Sequence, residues 1–231
     1  MYISFLDLLG GQPLNIDKAH EDFERTIPLG HHPSFSSSSM ELRATFHWKA
    51  YPENITELIS ANDWSINGNN SNNDINKNNS KKPDWIVLSA SLWHMLHIQS
   101  AERYTQDIGQ LVKAMQHFYD IKDSNTPSSS PPSSSSSPGI VIMTNCPETY
   151  PNKMTTAAKK TAMTPSDVDK YNAALEKSIL SSEDMITLLD IHAVTYLCGE
   201  ECSVDGIHSC FDVYDTVIQI TLAMIEYYLY R

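Results

Sequence analysis

Hydrophobic and polar positions change period several times along the chain. Met1 to Leu9 carries apolar residues on nearly every side, which predicts a buried helix. Leu42, Ala44, Phe46 and Trp48 alternate with polar neighbours, the period-two pattern of a half-buried strand. Trp85 to Ala90, just after Pro83, is a short continuous apolar run and predicts a strand buried on both faces. Between Ala101 and Tyr119, Ile108, Leu111, Val112, Met115 and Phe118 or Tyr119 recur at helical spacing along one face. Gly139 to Thr144 predicts another buried strand. At Thr164-Pro165-Ser166-Asp167 a capping hydroxyl, a first-turn proline and an acid at the third position open a helix that runs through Tyr171, Ala174 and Leu175. Met185 to Ile191 predicts the last strand, and Phe211 to Tyr230 the last helix.

Strands alternating with helices imply an α/β domain with a mainly parallel sheet, covered on both faces in three layers. Ligands of such sheets sit beyond the carboxyl ends of the strands. That rule groups Ser89–His94, Thr144–Pro147 and the loop holding Asp205 and His208 around one cleft. A three-layer domain usually begins with a strand, whereas this chain opens on a helical pattern. Two low-complexity segments, 67–82 (Asn, Ser and Lys) and 123–138 (Ser and Pro), interrupt the alternation. Neither has enough apolar surface to repay its ordering entropy, so both are expected as disordered loops within a single domain spanning 1–231.

Composition narrows the partners. The net charge of -12, with no stripe of Lys and Arg, argues against nucleic acid. Val213 to Tyr230 is interrupted by Asp215, Gln219 and Glu226, so no membrane span is expected in this chain, and the N-terminal apolar run, with no basic residue ahead of it and Asp7 inside it, does not read as a signal pattern. Cys198, Cys202 and Cys210 lie close to Asp205 and His208, and Cys146 stands apart; four cysteines allow two disulfides, with the pairing open. Although His192 and His208 are near in sequence, Cys198-x3-Cys202 lacks a second ligand pair at familiar zinc spacing, so no metal is assigned. No cofactor is expected either. Glycosylation sequons begin at Asn54, Asn69 and Asn78, two of them inside the Asn-rich tract.

The chemistry-bearing element is Asp205-Gly206-Ile207-His208. A carboxylate three residues before a histidine can orient the imidazole, fix its tautomer and stabilise the imidazolium that forms when it takes a proton. Gly206 suits a tight approach in that loop. An exposed turn with a capping aspartate and an unrelated histidine has the same spacing.

Four blocks in one order extend the pattern: Leu42-Arg-Ala-Thr-Phe-His-Trp48, Lys82-Pro-Asp-Trp-Ile-Val-Leu-Ser-Ala-Ser-Leu-Trp-His94, Thr164-Pro-Ser-Asp-Val-Asp-Lys-Tyr-Asn-Ala-Ala174 and Val204-Asp-Gly-Ile-His208. Together they resemble the luminal domain of the capsule-synthesis and sialate O-acetyltransferase family, an SGNH/GDSL-like group related to PC-esterases. The resemblance implies acyl-ester chemistry on a glycan, with an acetyl donor or an acetyl ester as partner. It makes Asp205 the orienting acid and His208 the general base, in a Golgi or secretory lumen. Members are often fused to a membrane domain.

The family's Gly-Asp-Ser block, whose serine is the nucleophile, is absent, and with it the expected first strand. Ser91 is the nearest substitute, though its counterpart is a structural or oxyanion position. Ser91-Leu92-Trp93-His94 resembles the Gly-Leu-Trp-His of PC-esterases. Trp93 and His94 either line the pocket, or serve as a core aromatic and a satisfied polar end. Three readings follow: a glycan O-acetyltransferase domain from an incomplete gene model, a stand-alone carbohydrate esterase, or a non-catalytic glycan-binding descendant.

Overall fold

The computed structural model describes residues 23–28, 41–61, 83–120, 139–182 and 185–229. The helix expected at Met1–Leu9, both low-complexity segments and Tyr230 lie outside them. The chain divides into two compact units, one reaching to Trp48 and including 64–80, the other comprising 49–63 and everything from Lys81 on.

In the first unit, β1 (Phe23–Pro28) and β2 (Glu41–Phe46) pair antiparallel, from Phe23 opposite Phe46 to Pro28 opposite Glu41. The alternation at Leu42 is thus a strand, although it ends at Phe46, short of Trp48. Its partner carries two charges and a proline in six residues, too weak a pattern to read as a strand.

The second unit runs α1 (Pro52–Ala61), β3 (Trp85–Leu88), α2 (Leu92–His97), α3 (Ala101–Asp120), β4 (Ile140–Thr144), α4 (Ala157–Ala162), α5 (Pro165–Ile179), β5 (Ile186–Leu189), α6 (Ile191–Cys198) and α7 (Phe211–Leu229). Its sheet is wholly parallel in the order β3-β4-β5, with Val141 between Ile86 and Ile186. Central β4 is buried at Val141, Ile142, Met143 and Thr144 alike. Successive side chains point to opposite faces, so both faces of β4 are covered, whereas edge strand β3 buries Ile86 but leaves Val87 43% exposed and is not the strand buried on both faces that its apolar run predicts. The α/β architecture with a parallel sheet stands as expected.

Helix α3 buries Tyr104, Ile108, Leu111, Val112, Met115 and Phe118 in one stripe. Phe118, not Tyr119, closes that face. Helix α5 begins as its sequence predicts. The Thr164 hydroxyl accepts from the Asp167 backbone N–H and donates to the Asp167 carboxylate at 2.6 Å, while Pro165 occupies the first turn. The last strand stops at Leu189, before the expected Ile191. Asp190 caps a helix there, its Oδ1 accepting the Ala193 N–H at 2.9 Å.

Candidate active site

Asp205 and His208 sit at the tip of a small hairpin between α6 and α7. Its ladder is an antiparallel bridge between Ser203 and Ser209, flanked by Val204 N–H to His208 O and Cys210 N–H to Cys202 O, both 2.7 Å. The Asp205 side chain organises the tip. Oδ1 accepts the backbone N–H of Ile207 at 3.1 Å and of His208 at 2.8 Å. Oδ2 lies 2.9 Å from His208 Nδ1.

A carboxylate only accepts, so in the neutral imidazole Nδ1 carries the proton and Nε2 the lone pair. Partial burial pushes the Asp205 carboxyl upward. The hydrogen bonds from the His208 backbone, the His208 ring and the Ile207 backbone outweigh it together and hold the group below its ordinary 3.8. Asp205 therefore stays ionised at neutral pH, opposite a solvent-facing imidazole whose side chain is 64% exposed.

The hairpin depends on a glycine. Gly206 adopts φ +90°, and a Cβ there would meet the Tyr150 carbonyl oxygen at 2.5 Å. Its N–H donates to the Ser203 hydroxyl at 2.9 Å, and its carbonyl accepts the Tyr150 N–H at 2.9 Å. Lys153 Nζ donates to the Ser203 carbonyl at 2.8 Å and to the Glu200 carbonyl. The segment after β4 thereby anchors the hairpin from below.

That segment is itself fixed at the carboxyl edge of the sheet. Asn172 of α5 accepts the Cys146 N–H at 2.7 Å and returns a bond to its carbonyl at 3.2 Å. Asn145 donates to Asp190 at 2.7 Å and accepts the His192 N–H at 2.9 Å. Glu148 Oε2 meets His192 Nε2 at 2.9 Å, while its N–H donates to the Thr195 hydroxyl at 2.8 Å. This Asn145–Glu148–His192 network was missed from the sequence, where His192 drew notice only as a possible zinc ligand. A polar cluster straight after a buried strand, Thr144-Asn145-Cys146-Pro147-Glu148, was its one available signal.

The other expected site residues have separate fates. Ser91 is 2% exposed, with its hydroxyl against the Cys146 thiol. Burial pushes that thiol up to about 12. The hydrogen bonds of His208 to described residues stay within its own hairpin and do not include Ser91. Trp93 is 40% exposed and stacks on His97 at 5.2 Å.

His94 is fully buried. Nε2 lies 3.4 Å from the Asp107 carboxylate, and Nδ1 accepts from the Tyr171 hydroxyl at 2.9 Å. Asp107 also accepts from Arg103 Nε at 2.9 Å. Desolvation lowers the His94 pKa below 6.5, and the bond to Asp107 only partly offsets it.

The cysteine pairing left open by the sequence joins Cys198 to Cys202, with Cys146 and Cys210 as free thiols. Among the described residues, no three His, Cys, Asp or Glu side chains are grouped to hold a metal ion. No helix among them is long and apolar enough to cross a membrane.

No family model matches the chain. It is 25% identical over 227 residues to the Arabidopsis thaliana protein ALTERED XYLOGLUCAN 9, an alignment that covers 95% of this chain and 55% of that protein. The chain thus spans about half the length of this relative. A solved structure, described as a peptidoglycan O-acetylesterase in action, aligns with 62% of this chain and 37% of its own, at a TM-score of 0.43 and 10% identity.

Proposed function

We propose that the chain carries the acid–base half of an SGNH-type acyl-ester site acting on a glycan. In this reading Asp205 orients His208, and His208 Nε2 removes the proton from an attacking hydroxyl and returns it to the leaving group. The carrying observation is the Asp205 carboxylate, which accepts three bonds from Ile207 and His208 and leaves Nε2 free towards solvent. The resemblance of the four sequence blocks to capsule-synthesis O-acetyltransferases and PC-esterases supports the reaction class. A relative whose name refers to xyloglucan, a polysaccharide, supports a glycan as the acyl acceptor or ester.

The nucleophilic serine is not assigned to this chain. Ser91 is buried against a neutral thiol, and among the described residues no base is hydrogen-bonded to its hydroxyl. Sequencing the 5′ end of the transcript tests this point: an in-frame Gly-Asp-Ser run would supply the nucleophile. The product of the complete transcript is then assayed for acetyl transfer to, and acetate release from, an acetylated oligosaccharide. His208→Ala is expected to lower turnover by at least about a thousandfold, and Asp205→Asn by a comparable factor. Full turnover by the His208→Ala variant overturns the assignment. Acetate release without transfer favours the stand-alone esterase. If no upstream serine exists and no turnover is measured, the burial of Ser91 favours a glycan-binding descendant instead.

A further inference from the structure

The hairpin that presents Asp205 and His208 is bracketed by two cysteines, Cys202 and Cys210. The bridge between Ser203 and Ser209 makes Cys202 and Cys210 the next opposed pair, joined by the Cys210 N–H to Cys202 O bond of 2.7 Å. Directly opposed residues of this kind have Cα atoms about 5.5 Å apart, inside the roughly 4.4–6.8 Å range that a disulfide spans. Cys202 ends a 3-10 turn, Glu200–Cys202, and Cys210 directly precedes α7, so the two cysteines stand at the two ends of the hairpin's base. Ser203 is buried, whereas both cysteines are partly exposed.

Cys202 already carries a disulfide to Cys198, and Cys210 is a free thiol. The Cys202 N–H is turned away to the Gly199 carbonyl, so a single backbone bond holds the opposed pair.

We propose that Cys202 is a disulfide-exchange site that passes from Cys198 to Cys210. The Cys210 thiol loses its proton to solvent, and its sulfur attacks Cys202 Sγ. The Cys202–Cys210 bond forms as the Cys198–Cys202 bond breaks, and Cys198 leaves as a thiolate that takes up a proton. One disulfide and one thiol stand on each side, so no external oxidant or reductant is consumed. The new bond closes the base of the 203–209 hairpin covalently and releases the C-terminal end of α6. The loop that carries Asp205 and His208 is thereby tied in one disulfide isomer and tethered to α6 in the other.

The test is disulfide mapping of the full chain after equilibration in a mixed reduced and oxidised glutathione buffer, with acid quenching, alkylation and peptide mass spectrometry. Wild-type protein is expected to give both linked peptides, with alkylated Cys198 in the molecules joined through Cys210. Cys198→Ser, equilibrated in the same buffer, is expected to lose both the Cys202 and Cys210 thiols to one intramolecular bond. Cys146 is then the one thiol left to alkylate in denaturant, whereas three remain if the exchange is wrong. Should Cys198→Ser fail to fold, the wild-type map decides: Cys198–Cys202 as the sole linkage, with Cys198 never alkylated, overturns the proposal. The mapping requires no turnover, so its failure is separate from any failure of the acyl-ester reading.

Discussion

His94 and His208 each meet an aspartate, at 3.4 Å and 2.9 Å, in opposite surroundings. The His94–Asp107 side chains are 0% exposed; those of His208 and Asp205 are 64% and 35% exposed. In the buried pair both ring nitrogens are occupied, by Tyr171 and Asp107, and Tyr104 packs edge-on to the ring at 5.1 Å. It joins α2 to α3 and α5, and desolvation keeps its imidazole neutral. In the exposed pair the carboxylate takes one nitrogen and leaves the other to solvent. The same two residue types make a structural bolt in one place and, in the function proposed above, the proton-transfer pair in the other. Solvent access to the second nitrogen separates them.

Removing the buried ring is the strongest way to break the comparison. His94→Ala strands the Tyr171 hydroxyl and one side of the Asp107 carboxylate in the core, and is expected to cost about 3 kcal/mol in urea unfolding. A loss below about 1 kcal/mol would make the buried pair incidental.

Next in size is Gly206→Ala. The residue sits at φ +90°, and its new methyl would collide with the Tyr150 carbonyl, so a loss of about 2 kcal/mol is expected. An unchanged unfolding midpoint would mean that the hairpin does not require its backbone geometry.

Titration sharpens the contrast further. The His94 pKa is lower in the folded protein than its ordinary 6.5, so below 6.5 the unfolded chain binds more protons. The stability from keeping His94 neutral is complete above pH 6.5. It drains away as the pH falls from there towards the depressed folded value, by at most about 1.4 kcal/mol per pH unit for one proton. His94→Gln should flatten the stability curve in that window. Asp205 acts lower on the scale. Its folded pKa lies below 3.8, so its contribution is present above 3.8 and lost as the pH falls further. Asp205→Asn should therefore leave the slope near pH 6 untouched, and equal effects of the two variants there would contradict the separation.

The smallest expected effect is that of His208→Ala on stability, within about 0.5 kcal/mol, because an exposed ring packs against little. A cost matching that of His94→Ala would make His208 a structural residue and remove the basis for its role as a base.

Legibility followed the range of the interactions. The strands at Trp85 and Ile140 and the capped start of α5 were readable because each rests on neighbours within a few residues, though only the second strand is buried on both faces. The Asp205–His208 pair was readable for the same reason: its partners are three apart, and the glycine between them is required by the backbone. Adjacent Trp93 and His94 show where local reading stops. One is 40% exposed and the other wholly buried, because α2 turns successive residues towards different surroundings.

The sequence alone determined the alternation of strands and helices, and with it a parallel α/β sheet whose carboxyl edge gathers the polar loops. It also determined the Asp205–His208 pair, since period and short-range spacing are properties of consecutive residues. Tertiary structure alone decided that His94 is bonded to Tyr171, 77 positions away, and that Glu148 meets His192 across 44. It likewise chose the disulfide partner of Cys202 and matched β2 with β1. Those contacts depend on which surfaces the folded chain brings together and on how much water it excludes from them, and neither is encoded in the spacing of neighbouring residues.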